Sequence, residues 1–101
     1  MEKNLYISSL LDVYGNFLGE KQRRLTEHYY NEDLSLSEIA ENEGITRQGV
    51  RDLIKRAEAQ LLEFEKKSGY CKAFSNLKDA AERVRKGENC INKLLDIIDN
   101  L

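Results

Sequence analysis

The stretch from Ser35 to Ala57, SLSEIAENEGITRQGVRDLIKRA, constrains this chain more than any other. Ser35 is a candidate N-cap with Glu38 three residues on, so that each side chain can satisfy a backbone N–H left free at a helix start. Gly44 predicts where that helix stops, because a residue without Cβ takes the left-handed conformation of a tight helix exit at little steric cost. Thr46 is placed to cap the helix that follows. Around these signals, apolar or small residues fall at Leu36, Ile39, Ala40, Ile45, Val50 and Leu53. Ala40 is small where the two helices must cross, and Ile45, Val50 and Leu53 are expected to clamp the second helix at a steep angle. Small residue, turn glycine and paired clamps together predict a helix-turn-helix.

Helical spacing of apolar residues continues on both sides. Leu5, Ile7, Leu10, Leu11, Tyr14, Phe17 and Leu18 predict a first helix from about Lys3 to Phe17, with Gly15 and Gly19 as terminators. Leu25, Tyr29 and Tyr30 mark a second helix, and residues 31–34 its exit turn. Val50, Ile54, Ala57, Leu61 and Phe64 carry the fourth helix to about Lys67, where Gly69 breaks it. Beyond the break, Phe74, Leu77, Ala81, Val84, Ile91, Leu95 and Ile98 keep a heptad phase, interrupted only at Gly87 and Glu88. One kinked helix and two shorter ones both fit that interruption. The expected architecture is all-α, about five helices: a helix-turn-helix domain without a wing over residues 1–68, and a C-terminal helical extension over 69–101. The seam formed by Leu61, Phe64, Phe74, Leu77, Val84, Ile91, Leu95 and Ile98 has too much apolar surface to stay wet. A homodimer is the expected cover, with an intramolecular three-helix core as the alternative.

Composition removes several functional classes. Charged residues make up 34% of the chain and proline is absent, which suits charged-faced helices rather than sheets. No apolar run approaches the roughly 18 residues of a membrane span, and the first residues, MEKNLYISSLLDVYG, lack the apolar core of a secretory signal, so a cytoplasmic protein with no membrane partner is expected. Cys71 and Cys90 have neither CxxC spacing nor histidine neighbours, and are read as reduced thiols rather than metal ligands. His28 is the single histidine, and the chain has no nucleophile elbow and no phosphate-cradling glycine loop. Neither an enzyme nor a cofactor is expected.

The net charge of −2 repels a polyanion, so contact with nucleic acid requires a local cationic patch. Such a patch lies between Thr46 and Arg56, where Arg47, Arg51, Lys55 and Arg56 face Asp52 alone, whereas Glu32 to Glu43 carries only acids. Thr46, Arg47, Gln48 and Arg51 sit where these motifs reach base edges: arginine can bond guanine in two-pronged fashion, and glutamine adenine. Lys55 and Arg56, a turn later, are placed for phosphates. Lys21, Arg23 and Arg24 form a second cluster that could grip the backbone beside the groove. The first cluster also reads as an ordinary solvated face, with Asp52 in i,i+4 reach of Arg56, and the second equally as a solvated helix start. Glu43, just before the turn glycine, has solvent as its simplest outlet.

The segment LGEKQRRLTEHYYNEDLSLSEIAENEGITRQGVRDLIKRAEAQL, Leu18 to Leu61, resembles the fourth conserved region of bacterial primary sigma factors. With the leading LLDVYGNFL and the helical tail, it more closely resembles the YlxM-like family of small bacterial proteins. LSLSEIAENEGITRQGV carries most of the likeness, and beyond Gly69 the chain is matched only in being helical. The resemblance implies a sigma-region-like helix-turn-helix, DNA rather than RNA as the nucleic acid, and a regulatory or accessory role in the signal recognition particle pathway. The alternative it leaves open is an adaptor for a protein or ribonucleoprotein of that particle. Arg47, Gln48 and Arg51 match the groove-facing start of the recognition helix, and Gly49 departs from the pattern where a side chain often stands.

Overall fold

In a computed structural model, which describes residues 1–87 and 91–101, every regular element is helical. The α-helices are α1 (Leu5–Tyr14), α2 (Glu20–Tyr30), α3 (Leu36–Glu43), α4 (Arg47–Ser68), α5 (Tyr70–Arg85) and α6 (Ile91–Asp99), with a 3-10 turn at Gly15–Phe17. The described residues group into two compact units, Met1–Lys67 and Ser68–Leu101.

Local chemistry explains the boundaries in the first unit. Asn4 caps α1 by accepting from the Tyr6 N–H, so the helix starts at Leu5 rather than at Lys3. Its end tightens into the 3-10 turn before Leu18 goes extended. Ser35 and Glu38 form the reciprocal capping box, with the Glu38 N–H 3.1 Å from Ser35 Oγ and the Ser35 N–H 3.2 Å from Glu38 Oε1. Gly44 is left-handed at φ +67°, and the N–H groups of Ile45 and Gly44 fold back to the carbonyls of Ala40 and Glu41. This is the paired closure that satisfies the last carbonyls of a helix. Ser35→Ala removes an exposed cap and should lower unfolding free energy by about 1 kcal/mol in chemical denaturation, without changing the cooperativity of the transition.

Leu25, Tyr29, Leu36, Ile39, Ala40, Val50 and Ile54 form the buried cluster that joins α2, α3 and α4, with Tyr30, Leu34, Ile45 and Leu53 packed at its edge. From α1, Ile7, Leu10, Leu11 and Tyr14 are buried, as are Leu18, Ala57 and Leu61. Leu5 and Phe17 share the α1 sequence pattern but are exposed. Leu5 lies two residues before Ile7, more than half a helical turn from the inner face, and Phe17 belongs to the turn that follows the helix. Its ring meets the edge of Phe64, which also contacts Tyr14. Tyr14 and Tyr30 donate to Glu65 and Glu58, so two phenols of the inner layer tie α1 and α2 to α4. Burial, reinforced by the Glu58 carboxylate, pushes the Tyr30 phenol up and keeps it a donor.

In the second unit, the C-terminal stretch forms two helices. Gly87 stands at φ +85°, a conformation no helix interior uses, and α5 ends just before it at Arg85. Glu88 and Cys90 lie outside the described residues. The buried residue of α5 is Ala80, whereas Ala81, expected on the inner face, is exposed. Leu77 and Val84 are half-buried, and Phe74, Ile91, Leu95 and Ile98 are exposed. None of the described helices is long and apolar enough to cross a membrane.

Candidate nucleic-acid interface

The interface is built on how α4 is fixed. Thr46 Oγ1 accepts from the Gly49 N–H at 3.0 Å, which sets the direction of the first turn. A Cβ at position 49 would stand 3.1 Å from that oxygen, so the glycine leaves room for the cap. Val50 and Ile54 are fully buried and Leu53 is half-buried, which turns the opposite side of α4 outward. Arg47, Gln48, Arg51, Asp52, Lys55 and Arg56 are all exposed there. Arg47, Gln48 and Arg51 line one open cleft of about 370 Å³ together with Met1 and Leu36. Sequence patterning did not mark Met1 or Leu36 as part of this surface.

The cations of this surface differ in what already holds them. Among the described residues, Arg47, Arg51 and Arg56 make no ion pair. Lys55 Nζ is 3.6 Å from Glu58, whose largely covered carboxylate also accepts from Tyr30. Asp52 accepts from Gln48 Nε2 at 2.8 Å instead of pairing with Arg56. Gln48 is therefore already engaged on its own helix, and reading a base would cost it that bond.

The cluster at the start of α2 is mostly occupied. Arg23 donates to Glu27 at 2.9 Å and to Asn16 at 2.8 Å. Arg24 forms a two-pronged bond to Glu43, at 2.8 and 3.3 Å, so Glu43 is braced against α2 rather than pointing free into solvent. Lys21 makes no ion pair among the described residues. The hydrogen bond from Arg24 holds the Glu43 carboxyl below the usual carboxylate range, against a smaller opposing effect of burial. A depressed folded-state value gives stability that is present above the ordinary carboxylate range and is lost as pH falls through the folded value. Glu43→Gln should therefore flatten part of the acid limb of a melting-temperature profile and leave the neutral plateau's shape unchanged.

No group of three or more metal-binding side chains occurs among the described residues. His28 is partly buried, with Nε2 3.7 Å from Glu32, and Nδ1 has no hydrogen-bond partner.

Across residues 1–101 the chain matches the family described as "Putative helix-turn-helix protein, YlxM / p13 like". It is 42% identical over 101 residues to a UPF0122 protein of Clostridium kluyveri, covering all of this chain and 82% of that relative. A UPF0122 protein of Clostridium botulinum is 51% identical over 67 residues, 66% of this chain and 62% of the relative. One from Shouchella clausii is 38% identical over 108 aligned positions, spanning 100% of this chain and 98% of the relative.

Proposed function

The chain belongs to the YlxM/p13-like family of helix-turn-helix proteins, and from that premise we propose that it binds duplex DNA through the start of α4 as a regulatory protein. The observation that supports this most directly is the pair Arg47 and Arg51. They lie one turn apart on the exposed side of a capped, core-anchored helix, without an ion-pair partner among the described residues. A guanidinium already bonded to a carboxylate must give that bond up to meet a base or phosphate; these two need not. Met1, 39% exposed beside them, supplies an apolar surface of the kind that meets a thymine methyl. Lys55 and Arg56 fall where phosphates pass.

Fluorescence anisotropy with a labelled duplex, repeated at several salt concentrations, tests the reading. Log affinity should fall by about 0.9 per neutralised phosphate for each unit of log salt. Negligible affinity for duplex even at low salt would remove it.

A second reading has its own observation. Glu38, Glu41 and Glu43 ride on α3 beside the cations of α4, and Gln48 is bound to Asp52, so the hairpin carries both signs and suits a protein surface. In that case the chain serves as an adaptor for a component of the signal recognition particle, the role its family resemblance implies. An A-form RNA helix would not admit α4 into its deep, narrow major groove, so RNA contact would run through loops or the backbone. Capture of that particle's RNA and GTPase from lysate, insensitive to DNase, supports the adaptor over the DNA reader.

A further inference from the structure

The second unit carries two apolar stripes on each helix, and only one of them is used. In α5, Ala73, Leu77, Ala80 and Val84 are buried or half-buried, and in α6 Leu94 and Ile97 are half-buried. Ile97 shares one cleft with Ala80 and another with Ala73, which places these stripes against each other. The adjoining stripe is open: Phe74 is 44% exposed, Ile91 57%, Leu95 51% and Ile98 46%, with Tyr70 packed on Phe74 at 6.3 Å between ring centres. No described residue of α6 is fully buried. A nine-residue helix is too short to persist on its own hydrogen bonds and depends on covering its apolar side.

The charges along the open stripe indicate what covers it. On α5 its edge carries Lys78, one turn from Phe74, whereas Arg85, one turn from Ala81, is already paired with Glu82. On α6 its edge is anionic, with Asp99 one turn from Leu95. Among the described residues neither Lys78 nor Asp99 makes an ion pair. A two-fold axis that lays α6 of one copy along α5 of another buries Phe74, Leu95 and Ile98 and sets a cationic edge against an anionic one, twice over.

We infer that this open α5–α6 face is the contact between two copies of the chain, joined about a two-fold axis with α5 of each copy against α6 of its partner. The resulting particle presents two α3–α4 hairpins, which suits a divided DNA site but does not depend on DNA being the ligand.

Sedimentation equilibrium of the 101-residue chain without DNA tests it. The wild type should weigh twice the 11.7 kDa of one chain across micromolar concentrations. Leu95→Glu should weigh one chain while keeping its helicity by circular dichroism. Lys78 and Asp99 are both exposed, and Lys78→Glu or Asp99→Lys should each weaken association about threefold to tenfold, with the double substitution restoring it. A single-chain mass for the wild type, or a double substitution no better than its parents, overturns the inference. Because the mass is read without nucleic acid, a protein that fails to bind duplex can still pass, and one that binds duplex can still fail.

Discussion

Changing Arg47 and Arg51 together to glutamate should lower duplex affinity by about 10²- to 10⁴-fold at low salt, since each well-placed arginine contributes about 1–3 kcal/mol and every 1.4 kcal/mol is tenfold. The effect is large for two reasons. Both side chains lose an attractive contact, and both new carboxylates are pressed toward a polyanion by a helix whose inner face cannot move. Thr46 caps that helix, and Val50 and Ile54 are fully enclosed, so the charges cannot swing away. The salt dependence should become shallower, because fewer counterions are released. Lys55→Glu is expected to cost far less, since Lys55 lies further along the helix and is already close to Glu58. Because all these positions are exposed, melting temperature should barely change, which separates lost binding from lost folding. An affinity within about threefold of wild type for the double variant would transfer function away from this surface.

The hairpin was legible in sequence because its determinants are local. A serine with glutamate three residues on, a glycine that must turn left-handed and a threonine before the next helix act on neighbouring backbone groups, so no distant residue can override them cheaply. Partners across the fold were not legible. Arg24 and Glu43 lie on different helices and meet only once α2 and α3 pack, so Glu43 read as a solvent-facing residue before the turn. Asp52 had two possible helical neighbours one turn away, and periodicity cannot choose between Gln48 and Arg56. In the second unit Gly69 was read as a break, as the structure has it, but the heptad phase was kept unchanged beyond it. Gly69 is left-handed at φ +67°, so the helix does not run through it, and the inner stripe of α5 runs through Ala73, Leu77, Ala80 and Val84 rather than through Ala81. Breaks in a helix preserve the composition of a face while discarding its register.

Ile54→Ala should cost about 2–5 kcal/mol, the range for truncating a fully buried aliphatic side chain and leaving a cavity behind. Ile54 is 0% exposed and belongs to the same cluster as Leu25, Ile39 and Val50, so its removal loosens α2, α3 and α4 at one point. A domain of this size shifts by about 4–8 °C per kcal/mol, so the melting temperature should fall by about 8–40 °C. The consequence for binding distinguishes scaffold from surface. Ile54 touches no solvent and cannot meet DNA, and Val50, Ala57 and Leu61 still anchor the same face of α4 when it is shortened. Well below its lowered melting temperature the variant should bind duplex almost as tightly as wild type, with affinity collapsing only as the fold does. The Arg47 and Arg51 double variant should show the reverse: normal melting and strongly weakened binding. If Ile54→Ala instead lost affinity while fully folded, the position of α4 would depend on packing detail finer than burial alone, and side-chain placement at the cleft would be set by the core rather than by the helix cap.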